Sequence, residues 1–321
     1  MEQLTHGTTR EFDIKWDSET IQYIHRKIPK PFEKSQIVES LYRPYIKQYL
    51  YLDKHFNGRT YQMFHIFPEK NADNKLIGFM GQSTDKLFAV ISSNLIPDLN
   101  CISLASGGTQ CLPLYRYDEK GDRIDNITDW GLIQFQTHYN DSTITKENIF
   151  HYTYAVLHHP AYRTKYEINL KREFPRLPFY PDFHQWTTWG KTLMDLHLNY
   201  ETIELHNLKR TEIATKPNPK AKLKADKTTG QIILDDNTEL TGIPTIAWNY
   251  KLGNRSALEW ILDQYKEKKP KDPTIREKFN TYKFADYKEH VIDLLQRVCT
   301  VSIETMEIIQ QMPDTVDHQK P

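Results

Sequence analysis

TKENIFHYTYAVLHHPAYRTKYEINLKREFPRLPFYP, residues 145–181, sets the architecture because three patterns follow one another within it. Ile149, Tyr152, Val156 and Leu157 recur at helical spacing, and Thr145 stands where an N-cap belongs. Pro160 ends that helix. Ala161 to Phe174 predicts a second helix with a basic face. In FPRLPFYP, Phe174 to Pro181, three prolines fall within eight residues. Proline lacks the amide donor and fixes φ, so neither a helix nor a central strand continues there, and an extended connector is expected. A helix carrying Trp186, Trp189, Leu193, Leu196 and His197 resumes over Asp182 to Leu198.

Upstream, the period changes. Lys86 to Ser92 (KLFAVIS), Leu99 to Leu104 (LNCISL) and Cys111 to Tyr117 (CLPLYRY) are short apolar runs between turn residues, which predicts strands. Gly107-Gly108 suits the tight connection between the second and third. Downstream, residues 207–230 look like a polar, lysine-rich loop or linker. Gln231 to Leu234 and Thr238 to Leu240 form an expected hairpin turning at Asp236-Asn237, and Thr245 to Lys251 predicts another strand. Ser256-Ala-Leu-Glu259 is a capping box opening a helix through Tyr265. A long helix follows from Asp286 to about Gln311, with Val291, Leu294, Leu295, Val298 and Val301 as its apolar stripe. The expected fold is mixed α/β (α+β). A β-rich portion with basic helices at 145–174 occupies residues 1–180. A helical portion with a small hairpin region near 231–251 and a long C-terminal helix occupies 181–321.

Composition narrows the function classes. The chain has 321 residues, 38% apolar and 12% aromatic, with 42 basic and 42 acidic side chains. Balanced charge excludes a globally basic nucleic-acid binder but not a local basic face. No run of about 18 apolar residues exists, so no transmembrane helix is expected. Met1 to Arg10 lacks the apolar region of a signal peptide. Cys101, Cys111 and Cys299 include no CxxC pair, which argues for free buried thiols and a cytoplasmic location. Catalytic signatures fail one by one. Gly190-Lys191-Thr192 imitates the end of a phosphate-binding loop, but Gln185 stands where the first glycine is required. GxSxG, HExxH, a glycine-rich loop after a first strand, and the Asn/Asp-Pro-Pro-Tyr motif that holds a flipped adenine are all missing. Glu267-x-Lys269 lacks an upstream acidic partner. His158-His159 lacks a third ligand at helical spacing, because His151 lies two turns, roughly 10 Å, away.

Positive charge is nevertheless clustered. Residues 205–227 hold seven basic side chains (Lys209, Arg210, Lys216, Lys220, Lys222, Lys224, Lys227) against two acidic ones. Residues 160–176 hold five (Arg163, Lys165, Lys171, Arg172, Arg176) against two, and residues 42–59 hold four (Arg43, Lys47, Lys54, Arg59) against one. Such clusters suit phosphates, whose neutralisation releases counterions. Two loops add the residue types that bond base edges: Asn57, Arg59 and Gln62 in HFNGRTYQ, and Asn254 and Arg255 in KLGNR. A backbone amide at Arg255, beside a helix N-terminus, would favour a phosphate.

Those same segments carry a family resemblance. SLYRPYIKQYLYLDKHFNGRTYQM (40–63), CISLASGGTQCLPLYRYD (101–118), YAVLHHPAYRTKYEINLKREFPRLPF (154–179), WGKTLMDLHLNYE (189–201) and IAWNYKLGNRSALEWILDQY (246–265) occur in order. Together they resemble the C-terminal specificity domain of type ISP restriction–modification enzymes, from about residue 12 to 311. The sequence departs from the pattern at Tyr45, where Phe is expected after Arg-Pro. In that family a nuclease, a helicase-like ATPase, a coupling region and an N6-adenine methyltransferase precede the specificity region. The resemblance implies a non-catalytic module that recognises double-stranded DNA and partners a methyltransferase, beginning inside the region normally fused to it. S-adenosylmethionine, ATP and Mg are expected only in the other family domains. On this view Arg43, Lys54, Arg163, Lys165, Lys171, Arg172, Arg176, Lys216, Lys220, Lys222 and Lys224 grip phosphates. Asn57, Arg59, Gln62, Asn254 and Arg255 are the candidate base readers. A competing expectation is an assembly domain that docks on the methyltransferase through the Trp186–Trp189 helix and the 286–311 helix without binding DNA. A third is an enzyme whose site combines His158, His159 and His184.

Overall fold

The computed structural model describes residues 18–58, 60–70, 72–80, 87–102, 107–213, 216–271, 273 and 275–314. Its fold is mixed α/β. After helix α1 (Ser18–His25), strands β1 (Ile37–Arg43) and β2 (Ile46–Tyr51) form an antiparallel hairpin. Pro44 and Tyr45 make its turn. Tyr45 has a φ of 62°, the left-handed value that the third residue of a Pro-initiated type II turn requires. A tyrosine resists that conformation. Here its ring is buried and its hydroxyl meets the Tyr250 hydroxyl at 2.9 Å, so the departure from Phe supplies a buried hydrogen bond.

A short helix α2 (Met63–Ile66) precedes β3 (Leu76–Met80), which is buried on both faces and central in a second sheet of order β4-β3-β6, with β4 (Val90–Ser93) and β6 (Thr109–Pro113). Strand β5 (Ile96–Pro97) returns to the first sheet, parallel to β1. Of the strand expected over Leu99–Leu104, the described residues Leu99–Ile102 form turn and bend. The Asp98 carboxylate accepts from the Asn100 amide at 2.9 Å and the Asp98 carbonyl from the Cys101 amide at 2.9 Å, so a local turn wins over pairing. Cys101 and Ile102 then plug the core; Ser103 and Leu104, like Lys86, lie outside the described residues. Gly107 and Gly108 have φ of 108° and 63° and lead into β6, and a Cβ on Gly108 would come within 2.9 Å of the Leu99 side chain. Strands β7 (Tyr115–Tyr117) and β8 (Arg123–Asp125) close a small hairpin.

Helix α3 (Asp129–Tyr139) was not foreseen. Helix α4 (Lys146–His158) starts where expected, with Thr145 and Asn148 forming a capping box. Pro160 ends it and opens the next helix at the position where proline costs no hydrogen bond. The single helix expected over Ala161–Phe174 is two short ones, α5 (Pro160–Lys165) and α6 (Glu167–Leu170), broken at Tyr166. The proline-rich segment is irregular, as expected, and α7 (Phe183–Leu198) begins at the N-cap Asp182. Helices α4 and α7 pack at the shortest range a backbone allows. A Cβ on Gly190 would lie 1.8 Å from the His151 carbonyl oxygen, so only glycine fits. The Gly-Lys-Thr sequence is therefore a helix-packing feature.

The lysine-rich stretch is not a linker. It contributes β9 (Lys209–Glu212) and β10 (Ala221–Asp226) to an antiparallel sheet of order β10-β11-β12-β9, completed by the expected hairpin of β11 (Gln231–Asp235) and β12 (Thr238–Thr241). The expected strand over 245–251 is a 3-10 turn at Thr245–Trp248, initiated by Pro244, leading into β13 (Lys251–Leu252) and β14 (Arg255–Ser256). Ser256 and Glu259 form the anticipated capping box of α8 (Ala257–Gln264), and α9 (Phe284–Gln310) closes the chain.

Two large hydrophobic clusters hold these elements. In one, Ile232, Leu234 and Leu240 of the third sheet and Leu258 and Ile261 of α8 pack on Val291, Leu295 and Val298 of α9. In the other, Tyr152, Phe183 and Trp186 join α4 and α7 to Ile77, Phe79 and Val90 of the second sheet. A buried polar seam runs through the centre. The Tyr154 hydroxyl meets His197 Nδ1 at 2.6 Å, and His197 Nε2 meets Thr305 Oγ1 at 2.8 Å. Burial pulls the His197 imidazole down to about 3, so it is neutral when folded.

Candidate nucleic-acid interface

Folding neutralises part of the positive charge counted along the sequence. Lys216 and Lys222 both pair with Asp236, at 3.0 and 3.1 Å, and these contacts hold that carboxyl well below the usual carboxylate range. Arg210 is shared between Glu212 and Glu289, and Lys227 pairs with Glu259. Lys171 and Arg176 pair with Glu167 and Glu173 on their own segment. Lys165 is exposed and sits 5.6 Å from the Tyr166 ring centre. Two expected cations are turned inward. Arg43 is buried against Asp98 at 2.7 Å and stacks on Tyr42. Arg163 donates from Nε to the Leu157 carbonyl at 2.6 Å and lies over Phe88; burial lowers its pKa to about 10, so it stays charged. Lys54, Arg172, Lys220 and Lys224 remain exposed without an ion-pair partner among the described residues.

Register explains why Lys224 faces outward. Along β10 the burial alternates, with Lys222 and Lys224 outside and Leu223 inside. Lys224 stands opposite Ile233, which stands opposite Glu239, which stands opposite Thr211. Asp226, Gln231, Thr241 and Lys209 form the next row of the same face.

The expected base readers are treated unequally by the fold. Both hydrogens of the Asn57 amide are committed internally, to the Tyr51 and Asp53 carbonyls at 2.7 Å each, so this residue shapes its turn. Arg59 lies outside the described residues. Gln62 is exposed on the wall of a cleft of about 1010 Å³ between the first two sheets, where Gln48, Asn100 and Gln110 also converge. Tyr49 and Tyr61, 80% and 72% exposed, flank it. Asn254 is exposed at the tip of the β13–β14 hairpin, where Gly253 takes a φ of 71°. Arg255 is tied to Asp263 at 3.2 Å and stacks over Trp260. Gln48, Asn100 and Gln110 were not anticipated, because they come from β2, from the turn after β5 and from β6 of the second sheet, segments far apart in sequence.

The features proposed for the other readings are dispersed. His184 is exposed and bonded to Asp141, whereas His158 and His159 are buried, the latter against the Pro313 carbonyl at 2.6 Å. Among the described residues no three His, Cys, Asp or Glu side chains form a metal-binding group. Trp186 is buried and Trp189 half-buried, and the apolar stripe of α9 is spent on the core. Among the exposed large apolar side chains are Trp130 and Ile133 on α3, 72% and 55% exposed. No helix among the described residues is long and apolar enough to cross a membrane.

The fold leaves a polar, largely uncharged recess and, outside its described lining, exposed cations without an ion-pair partner among the described residues. Residues 1–294 match the family described as the type ISP C-terminal specificity domain, and the chain belongs to that family. Solved structures agree. The DrdV–DNA complex, determined by cryo-electron microscopy, matches with a TM-score of 0.90 and 49% identity over 95% of this chain and 31% of that one. A nuclease-deletion mutant of the type ISP restriction–modification enzyme LlaGI, in complex with a DNA substrate mimic, matches with a TM-score of 0.77 and 29% identity over 97% of this chain and 28% of that one. The ATP-dependent type ISP restriction–modification enzyme LlaBIII bound to DNA matches with a TM-score of 0.79 and 26% identity over 95% of this chain and 20% of that one. The chain thus spans less than a third of each of these structures. No curated protein matches it.

Proposed function

We propose that this chain recognises a specific sequence in duplex DNA and thereby positions an N6-adenine methyltransferase and a motor carried elsewhere in a restriction–modification enzyme. The observation that carries this reading is the match of nearly the whole chain, at 49% identity, to part of a protein solved in complex with DNA. Unpaired Lys54, Arg172, Lys220 and Lys224 suit the phosphate grip, which sets register without carrying sequence information. Gln62 and Asn254 are the exposed amides among the expected readers. The chain is assigned no chemical step of its own; S-adenosylmethionine, ATP and Mg belong to the other domains, and the enzyme works in the cytoplasm.

Fluorescence anisotropy with a labelled duplex over a salt series tests the proposal. Each neutralised phosphate contributes about −0.9 to the slope of log K against log salt, so four contacts predict a slope near −3.6. Replacing Lys220 and Lys224 by Ala is expected to make it shallower by about 2. A slope near zero would overturn the proposal. The alternative of an assembly domain is favoured by one observation, the unpartnered Trp130 and Ile133 on α3. It predicts that Trp130→Ala weakens association with a separately supplied methyltransferase segment while the salt slope stays at zero.

A further inference from the structure

We infer that the cleft between the first two sheets reads adenine, the unbonded side-chain amides of Gln48, Gln62 and Asn100 discriminating A·T from G·C pairs. This deepens, and rests on, the DNA-reading function proposed above. Two sets of amides in the N-terminal portion contrast. Asn57, Asn74 and Asn126 spend their amide hydrogens on backbone carbonyls: Asn74 on Ile66 and Tyr115 at 2.9 and 2.8 Å, Asn126 on Pro113 at 2.9 Å. Gln48, Gln62 and Asn100 are exposed, and their side-chain amides have no hydrogen-bond partner among the described residues. The fold thus consumes one set and leaves the other pointing at solvent in a single recess.

The chemistry of that recess selects the base. Adenine presents an acceptor, N7, beside a donor, the N6 amino group, and a side-chain amide offers the complementary donor and acceptor in one plane. Guanine presents two adjacent acceptors, N7 and O6, and calls for a pair of donors, as on arginine or lysine. Among the described residues lining the cleft, Asp98 is the sole charged one, and it is already held by Arg43 at 2.7 Å. Leu99, 41% exposed, and Tyr61, 72% exposed, supply apolar surface on the same walls for the methyl group of thymine, adenine's partner. Tyr61 also holds a left-handed φ of 44° without burying its ring, and uncompensated backbone strain of this kind gathers at ligand-contacting segments.

The test is selection of duplexes from a random-sequence pool by the full chain, run in parallel with Gln48→Ala, Gln62→Ala, Asn100→Ala and Gln62→Arg. All are exposed positions, and circular dichroism checks that each variant folds. The wild-type chain is expected to enrich a site containing A·T pairs. Each alanine variant is expected to relax discrimination at one of them by about 5-fold or more, the range of a bidentate contact. Gln62→Arg is expected to move the preference at its position from A to G. If the wild-type chain enriches a site and the variants leave every preference unchanged, or lose affinity uniformly, the assignment of these amides is overturned while DNA reading stands. If the wild-type chain enriches no site, the proposed function itself fails and this inference with it.

Discussion

Gly190→Ala sets two effects of opposite sign against each other. In the interior of a helix, alanine is better than glycine by about 1 kcal/mol, so propensity alone predicts a more stable protein. The packing of α7 on α4 predicts the reverse. The new Cβ would lie 1.8 Å from the His151 carbonyl oxygen, 2.5 Å from its carbon and 3.2 Å from the Ala155 amide nitrogen. These are backbone atoms of a neighbouring helix, so no side chain can swing aside, and α7 must move away by more than an ångström. Overpacking costs typically about 1–3 kcal/mol and more where backbone has to shift, and here the upper end applies. After subtracting the propensity gain, a net loss of about 2 kcal/mol remains, or a fall in Tm of roughly 3 °C for a chain of this size. Urea unfolding followed by tryptophan fluorescence measures it, with Trp186 buried on α7 itself. Gly131→Ala on α3 is the control: its Cβ would meet nothing closer than 3.6 Å, and up to about 1 kcal/mol of stabilisation is expected. Equal or greater stability of Gly190→Ala would refute the close-packing explanation.

Three further outcomes follow from the buried groups and caps. His197 is neutral when folded, with its pKa depressed to about 3, whereas an unfolded histidine titrates near about 6.5. Its contribution is therefore complete above that value and is lost as pH falls from about 6.5 towards 3; at pH 5 the loss is about 2 kcal/mol, and buried His158, lowered in the same direction, adds to it. Urea midpoints that do not fall between pH 7.5 and 5 would contradict this. Tyr45→Phe leaves the buried Tyr250 hydroxyl without its partner and is expected to cost about 1–3 kcal/mol, with the Tyr45→Phe/Tyr250→Phe double variant recovering part of the loss in a double-mutant cycle. Ser256→Ala removes the hydroxyl that accepts from the Glu259 amide, leaving only the backbone half of the α8 capping box, and should cost about 1 kcal/mol by thermal unfolding, while Ser256→Thr should cost less.

What could be read from sequence was local chemistry. Thr145 and Ser256 announce helices because capping involves residues three apart, and both caps are formed. The Asp236-Asn237 turn was equally readable, since Asp235 receives the Asn237 and Thr238 amides at 2.8 Å each. Strand β10 carries an alternation, Ala221, Leu223 and Ala225 against Lys222, Lys224 and Asp226, but Leu223 is its one large apolar side chain, so the lysines dominate the reading. Counting charge along the chain misled for a related reason. Asp236 and Glu289 neutralise lysines and an arginine from distant segments, and only pairing between strands and helix brings them together. Arg43 and Arg163 were expected on the surface as cations, yet each has its guanidinium drawn against an aromatic ring and an oxygen acceptor of the chain itself. The cleft itself escaped because Gln48, Gln62, Asn100 and Gln110 come from four separate segments, and no spacing rule links them.

The most direct measurement is the ratio of the full chain's affinity for its selected duplex to that for a scrambled duplex of equal length and composition, in one buffer at fixed salt. A sequence-reading module predicts a ratio of about 10³ or more. A ratio near one would show a chain that at most grips phosphates, and would contradict its assignment as the part that recognises the site.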